Sequence, residues 1–278
     1  MPNARVFRLL AYSANGSKRR FAVGTNKALV SSWSFPTPDP PPRDDDVFSQ
    51  GLPLLRKVVE HADRPFLSEW HPAKSNEVDN DNRILSYQDV ISKAIQVSIH
   101  VQQISSVSSP FVAHSTLPGS DYVACQWGAF AANKASVPLS ISQKTPELEH
   151  VLQDSNPVVI FVSDQVPNYE QVLQAAHNLQ MTDRIVHIEQ VTTTAFDNSS
   201  SSKEVPEATQ LLEIAGRAGP SLDQPALLLY TSGTTGKPKG VLHTHRNLYH
   251  QITDLVAAWE WQPQDVALHV LPLHHVHG

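Results

Sequence analysis

Short, uninterrupted apolar runs alternate along this chain with longer segments in which apolar residues recur every three to four positions. Runs of the first kind are typical of strands buried on both faces, because a strand that faces solvent alternates apolar and polar residues. We predict strands at 111–113, 158–162 and 226–230, and weaker ones at 184–188 and 266–271.

Helix signals lie between these runs. Ser86 is followed three residues later by Asp89, which is the pattern of an N-terminal cap. The apolar residues that follow keep helical spacing: Val90, Ile91, Ala94, Ile95, Val101 and Ile104. A second helix is predicted over 121–134. A third has Thr145 as its cap and Pro146 in the first helical position, where the missing N–H of proline costs nothing.

This order of elements indicates a fold class. Buried strands separated by helices predict an α/β fold, with a mainly parallel sheet flanked by helices on both faces. In such sheets, ligands bind beyond the carboxyl ends of the strands. The residues that follow a strand are therefore the first candidates for a site.

Proline marks the start of the folded domain. Residues 36–42 contain five prolines, and an aspartate run follows. Proline at this density cannot join a helix or the interior of a sheet, so we interpret 36–46 as a linker and 47–278 as the folded domain. Polar stretches at 76–82 and 192–203 are predicted to be exposed loops.

The first 35 residues differ in composition from the rest. They contain no Asp or Glu, and six positive charges at Arg5, Arg8, Lys18, Arg19, Arg20 and Lys27. A basic, serine-rich leader without a long apolar core is typical of a mitochondrial transit peptide rather than a secretory signal. We interpret 1–35 as a transit peptide, which predicts a mitochondrial location. The alternative is a disordered tail on a cytoplasmic protein.

Overall composition excludes several classes of partner. The 278 residues are 40% apolar and 17% charged, with a net charge of −6, which gives no electrostatic reason to expect nucleic acid. No apolar run reaches the ~18 residues of a membrane-spanning helix. Cys125 is the only cysteine, so neither an intrachain disulfide nor a cysteine-built zinc site is predicted, and no other metal site is assigned.

The densest set of small and polar residues lies directly after the strand at 226–230. Its glycines let the backbone turn sharply and bring N–H groups close to an anion, while its hydroxyl groups and lysines add donors and positive charge. A strand, a glycine-rich turn and then cations form a typical phosphate-binding arrangement. We predict that a helix begins near His245, after the turn. We predict that a nucleotide contacts Thr231, Ser232, Gly233, Thr234, Thr235, Gly236, Lys237 and Lys239.

Two common nucleotide-binding motifs do not fit this loop. Neither the G-x-x-x-x-G-K-[ST] pattern of the P-loop nor the G-x-G-x-x-G pattern of dinucleotide-binding folds can be aligned with it. The structural alternative is a flexible surface hairpin rich in Thr and Gly.

The loop resembles a known family. Residues 230–241, YTSGTTGKPKGV, resemble without a gap the signature loop of the adenylate-forming superfamily, which includes acyl-CoA synthetases, luciferases and the adenylation domains of peptide synthetases. Residues 271–278, LPLHHVHG, resemble that family's next motif, and the HVHG ending is most similar to the malonyl-CoA synthetase branch. Weaker similarity runs from about residue 50 to the end, at 85–87, 127–139, 145–149, 154–155 and 243–248.

This resemblance implies the N-terminal part of the AMP-binding domain of an ATP-dependent acid–CoA ligase, cut short at Gly278. In that family a carboxylate attacks the α-phosphorus of ATP and expels pyrophosphate, and the thiol of coenzyme A then displaces AMP. The implied reactants are ATP, coenzyme A and a small carboxylic acid. The implied Mg²⁺ has an acidic ligand that the family places after the position of Gly278.

The resemblance also implies roles for single residues. Lys239 corresponds to the more characteristic lysine of the family loop and is expected to lie closer to the phosphates than Lys237. His275 takes the motif position on the acyl side of the pocket, with His277 beside it. We therefore name Lys239 and His275 as catalytic candidates. Structural histidines near a strand end are the alternative.

Two further functions stay open from the sequence. One is a catalytically inactive fragment that acts only as a nucleotide-binding or interaction module, because the family's later segments are expected to be missing. The other is an adenylation domain that loads a carrier protein instead of coenzyme A.

Overall fold

The structure, a computed structural model, describes residues 52–69, 83–104, 107–192, 207–217, 221–231, 237–262 and 265–276. The predicted leader at 1–35, the linker at 36–46 and the loop at 76–82 lie outside these residues, as do residues 193–203 of the second predicted loop. These four interpretations therefore stay predictions.

Two sheets occur in the described residues. The smaller is an antiparallel pair, β1 (Pro65–Glu69) and β2 (Arg83–Ser86). The larger contains β3 (Phe111–Ser115), β4 (Ala135–Pro138), β5 (Ile160–Val162), β6 (Ile185–His187), β7 (Pro225–Thr231) and β8 (Lys239–Thr244). Its spatial order is β6-β5-β3-β4-β7-β8, in which every neighbouring pair is parallel except β7 and β8. The predicted mainly parallel α/β fold is confirmed.

Most of the predicted strands are confirmed. The apolar runs at 111–113, 158–162, 184–188 and 226–230 correspond to β3, β5, β6 and β7. The strands β1, β2, β4 and β8 were not predicted. The last two are short or mixed in composition, ASVP and KGVLHT, so neither forms an apolar run.

The weak strand predicted at 266–271 is wrong. Within the described residues this segment forms only an isolated bridge at Val266, and the side chains of Val266, Leu268 and Val270 are 71%, 77% and 73% exposed. A strand persists only where a neighbouring strand satisfies its backbone groups, and β8 ends the sheet without such a partner. Apolar composition alone therefore does not create a strand here.

The helices of the described residues are α1 (Pro53–Glu60), α2 (Tyr87–Gln103), α3 (Ser120–Ala131), α4 (Thr145–Ser155), α5 (Tyr169–Asn178), α6 (Ile188–Thr192), α7 (Glu207–Arg217) and α8 (His245–Ala258). The helices predicted after Asp89 and over 121–134 are confirmed as α2 and α3. The predicted cap of α2 is also confirmed, because Ser86 Oγ accepts from the Asp89 N–H at 3.2 Å and Asp89 Oδ2 accepts from the Ser86 N–H at 2.7 Å. None of these helices combines the length and apolar character needed to cross a membrane.

The start of α4 corrects one prediction. Lys144, not Thr145, takes the capping position with an extended backbone, and its N–H donates to the Glu147 carboxylate at 2.9 Å. The helix therefore begins at Thr145, one residue before the predicted start, and Pro146 is its second residue. The missing N–H still costs nothing there, because the first four N–H groups of a helix have no helical acceptor.

Helices cover both faces of the larger sheet, as predicted. Strand side chains alternate between faces. Ala113 and Ile160 therefore enter a core with Leu152 of α4 and the buried residues of α5. Val112 and Phe161 enter the opposite core, which α2 and α3 close. The central strands β3, β4 and β5 are thus packed on both faces, whereas the side chains of the edge strand β8 are exposed or half-buried.

Candidate functional site

The predicted phosphate loop lies between the two strands of a β-hairpin. Thr231 ends β7 and pairs with Lys239, which begins β8. The Thr231 hydroxyl donates to the Lys239 carbonyl oxygen at 3.4 Å, and the side chains of Thr231, Lys237 and Lys239 are all exposed. The remaining predicted residues, Ser232, Gly233, Thr234, Thr235 and Gly236, lie outside the described part of the chain.

This hairpin stands where the fold predicts a ligand. β7 runs parallel to β4, so the loop leaves the sheet at the edge where the carboxyl ends of the parallel strands lie. The helix expected near His245 is confirmed as α8. Its cap is Thr244, whose hydroxyl accepts from the Asn247 N–H at 3.2 Å. The strand β8 between loop and helix was missed, because Lys239 and Gly240 were assigned to the loop, and His243 and Thr244 to the start of the following helix.

Helix α4 contacts both flanks of the loop. On the β7 side, the Tyr230 hydroxyl donates to Asp154 Oδ2 at 2.6 Å. On the β8 side, His150 Nε2 lies 2.7 Å from the Pro238 carbonyl oxygen, so this nitrogen carries the proton and donates. Burial and the hydrogen bond to Asp154 raise the pKa of the Tyr230 hydroxyl, which therefore stays protonated and donating at neutral pH.

These contacts were missed by the sequence reasoning. The partners are 76 and 88 positions apart, so no local periodicity connects them. The only signal was the weak family similarity at 145–149 and 154–155, which placed α4 in the family without assigning it a contact.

The absence of a side chain at Gly240 leaves space for the Tyr230 ring. The two residues pair across the hairpin, and a Cβ built on Gly240 would lie 3.3 Å from Tyr230 Cζ and 3.0 Å from Leu228 Cδ1. Both distances are shorter than ordinary van der Waals contact. Glycine at this position therefore lets the ring lie over β8 with its hydroxyl directed at Asp154.

The His-rich segment at 271–276 is held by two other helices. The Tyr122 hydroxyl of α3 donates to the Leu273 carbonyl oxygen at 2.6 Å, and Gln251 of α8 donates to the Val276 carbonyl oxygen at 3.3 Å. The His275 side chain is exposed, and its ring lies 4.4 Å from that of His274. Partial burial and the neighbouring His275 lower the pKa of His274. His277 lies outside the described residues.

A buried histidine packs against the ring of Tyr122. His114, near the carboxyl end of β3, is fully buried, and its Nε2 lies 2.9 Å from Ser136 Oγ. Its ring meets the ring of Tyr122 edge-on at 4.8 Å. Burial lowers the pKa of His114 to about 3, so the imidazole is neutral. Sequence reasoning did not identify His114 or Tyr122.

The structure brings together only part of the predicted site. Thr231 and Lys239 share the hairpin, with Lys237 two residues before Lys239. Within the described residues, no hydrogen bond joins His275 to any of the three, so the roles of His275 and of the lysines stay predictions. A hydroxyl and two exposed ammonium groups at a strand end suit an anion such as a phosphate. No cluster of three or more His, Cys, Asp or Glu side chains that could hold a metal ion occurs in the described residues.

All but the first three described residues match one protein family. The family model for AMP-binding enzymes aligns with residues 55–278. This match includes both the hairpin and the His-rich segment.

Several curated proteins are similar in sequence. The mitochondrial malonate–CoA ligase ACSF3 of Xenopus laevis is 39% identical over 160 residues, which cover 57% of this chain and 25% of that protein. Its Homo sapiens counterpart is 31% identical over 234 residues, or 82% of this chain and 36% of the relative. A malonate–CoA ligase of Arabidopsis thaliana is 35% identical over 165 residues, 58% and 25% of the two chains. The chain thus spans about a quarter to a third of the length of these relatives.

Solved structures show the same fold. ATP-bound MatB from Rhodopseudomonas palustris superposes with a TM-score of 0.59 at 21% identity, over 82% of this chain and 42% of that one. The adenylation domain of a keto acid-selecting NRPS module gives 0.60 at 18% identity, over 83% and 38%. At these identities the likeness supports the fold and not a particular activity.

Proposed function

Because the chain belongs to the AMP-binding enzyme family, we propose that it is part of an ATP-dependent acid–CoA ligase. The observation that carries the proposal is the β7–β8 hairpin, which presents Thr231, Lys237 and Lys239 to solvent at the carboxyl edge of a parallel sheet. The relatives named malonate–CoA ligases support coenzyme A as the acceptor of the acyl group.

The proposed chemistry has two steps. A substrate carboxylate oxygen attacks the α-phosphorus of ATP and pyrophosphate leaves, and the coenzyme A thiol then attacks the acyl carbon and AMP leaves. In the first step negative charge develops on phosphoryl oxygens, so the protein acts mainly by positioning and by electrostatic stabilisation. We assign Lys239 and the loop donors to the β- and γ-phosphates, and His275 to the acyl side.

We further propose malonate as the carboxylic acid. Its support is the names of the relatives, which are 31–39% identical to this chain. A short dicarboxylate requires a cation for its second carboxylate, and no described residue of this chain is assigned to that role.

Acid-dependent exchange of pyrophosphate into ATP tests the proposal. The chain spans 25% of the frog relative, so both steps are proposed for the protein that contains this chain. That protein is expected to exchange pyrophosphate with malonate, and to release AMP once coenzyme A is added. The absence of exchange with any of a panel of mono- and dicarboxylic acids would contradict the ligase proposal.

The same assay separates the two alternatives. A nucleotide-binding module predicts that the 278-residue chain binds ATP and exchanges no pyrophosphate, which we expect for the chain alone. Measurable exchange by the chain alone would refute this alternative. The carrier-protein alternative predicts that the protein containing this chain exchanges pyrophosphate but forms no thioester with free coenzyme A.

We propose a mitochondrial location on the basis of the basic leader at 1–35 and of relatives whose names include that compartment. A fluorescent protein fused behind residues 1–35 is expected to enter mitochondria. A matched fusion in which the arginines and lysines of the leader are replaced by glutamine should stay in the cytosol. Cytosolic fluorescence of the unaltered fusion would remove the assignment.

A further inference from the structure

Helix α4 carries two side chains that contact the two ends of the phosphate loop. His150 and Asp154 are four residues apart, so they lie on one face of the helix. The first contacts Pro238 at 2.7 Å, just before β8, and the second contacts Tyr230 at 2.6 Å, near the end of β7. The rings of His150 and Tyr230 also meet edge-on at 6.3 Å, which joins the two contacts into one cluster.

We propose that His150 and Asp154 are positioning residues for the nucleotide, which hold both ends of the loop in the geometry that binds the ATP phosphates. The inference rests on the proposed function, because it assumes that residues 231–239 bind those phosphates. It extends that function by assigning a role to a helix that lies outside the motif.

The anchoring helix is itself fixed. Leu148, Val151 and Leu152 of α4 are buried in the core that the sheet covers, and the opposite face carries His150 and Asp154 to the hairpin. A side chain on a packed helix positions its partner more closely than one on a loop does. Because α4 is held in the core, its contacts with Tyr230 and Pro238 fix these two residues relative to the sheet.

The hydrogen bond to Pro238 also orients a peptide. Proline has no N–H, so its carbonyl oxygen is the one polar backbone group that it offers. The peptide bond between Pro238 and Lys239 is planar, so a carbonyl directed at His150 turns the Lys239 N–H the opposite way. His150 thereby sets the backbone direction at the lysine that is assigned to the phosphates.

Fixing both ends of the loop reduces the conformational entropy that the loop loses when ATP binds. A loop whose two ends are fixed has less conformational entropy to give up on binding, and its affinity rises accordingly. The effect falls on ATP and not on the acid, because neither contact lies at the His-rich segment. The expected signature is a change in ATP affinity alone.

Paired substitutions at His150 test this role in the protein that contains the chain. His150→Phe keeps an aromatic ring against Tyr230 but removes the donor, and His150→Gln keeps a donor. We expect His150→Phe to raise the Kd and the KM for ATP about three- to tenfold, the size of one lost hydrogen bond, and His150→Gln to stay within about twofold of the wild type. The KM for the acid should not change.

The second contact gives an independent measurement. Tyr230→Phe removes the hydroxyl that donates a hydrogen bond to Asp154, and it should raise the Kd for ATP about threefold or more. Asp154→Asn keeps an acceptor oxygen and should change the Kd less. His177→Phe and Asp164→Asn are matched controls on exposed side chains away from the hairpin, and neither should alter ATP binding.

The outcomes separate this inference from the proposed function. If the wild type binds ATP and neither His150→Phe nor Tyr230→Phe changes the Kd, the inference is overturned while the ligase proposal stands. Equal losses for His150→Phe and His150→Gln, or an equal rise in the KM for the acid, would also overturn it. If the wild type does not bind ATP, both fail.

Discussion

Replacing Lys239 with alanine is expected to raise the Kd for ATP about 30-fold in the protein that contains this chain. A lysine ammonium ~4 Å from a phosphate oxygen contributes roughly 4 kcal/mol at an effective dielectric constant of 20, before desolvation. If desolvation removes about half of that, about 2 kcal/mol remains, and each 1.4 kcal/mol corresponds to about a tenfold change in Kd. The measurement is a titration with ATP at fixed ionic strength.

Lys237→Ala is the matched control, because this lysine has the same charge and exposure two residues earlier. We expect its effect to be no more than about threefold, as for an exposed charge screened by water and salt. The structure gives a reason for the difference. Lys239 begins β8 and pairs with Thr231, whereas Lys237 lies before the strand. Equal, small losses for the two variants would refute the assignment of Lys239.

Both lysine variants should keep the stability of the wild type. Neither side chain forms a hydrogen bond or an ion pair within the described residues, so their removal leaves no buried group without a partner. An unchanged thermal midpoint would locate the loss of affinity in the charge and not in the fold.

Lowering the pH from 7.5 to 5.5 is expected to reduce the free energy of unfolding by about 2–3 kcal/mol. Burial lowers the pKa of His114 to about 3 and that of His245 to about 4, whereas an unfolded histidine has a pKa of about 6.5. Between these values the unfolded chain binds protons that the native chain does not, so stability falls with pH. At pH 5.5, one unit below the unfolded pKa, each histidine contributes about 1.4 kcal/mol of this loss.

The loss of stability is confined to the pH range between the unfolded and the native pKa values of these histidines. Above pH 7 both imidazoles are neutral in both states, so stability does not depend on them. The loss begins as the pH falls through about 6.5 and continues towards the native pKa values of about 4 and 3. Most carboxylates titrate below pH 5, which leaves the interval from 7.5 to 5.5 to the histidines.

Urea unfolding followed by tryptophan fluorescence at the two pH values measures this difference. His114→Gln and His245→Phe each remove one titrating group, and each should reduce the difference by about 1.4 kcal/mol whatever its effect on stability at pH 7.5. His177→Gln removes an exposed histidine and should leave the difference unchanged. Equal stability of the wild type at both pH values would show that these imidazoles are not buried as neutral groups.

Much of the fold was predictable because its signals are local. The apolar runs at 158–162 and 226–230 predicted β5 and β7, since short, fully apolar runs bounded by polar or turn-forming residues are typical of strands buried on both faces. The Ser86–Asp89 pattern predicted the start of α2, since a capping side chain acts within one turn. The prediction at 266–271 failed because a strand also needs a partner, and a partner is not a local property.

The candidate site was predictable only in its chemistry. The residues of 231–239 predict an anion-binding loop through their glycines, hydroxyl groups and lysines, without reference to any other part of the chain. The strand β8 was missed, because it is formed by pairing with β7 and not by its own composition.

The sequence by itself determined the type of fold and the family, and it predicts which residues bind a phosphate, because hydrophobic spacing and motif composition can be identified within a few residues of chain. Only the tertiary structure decided that α4 contacts both ends of the loop and that Tyr122 contacts the His-rich segment. Those contacts join residues between 76 and 151 positions apart, and hydrogen bonds over such separations exist only where the packing of helices on the sheet brings donor and acceptor together.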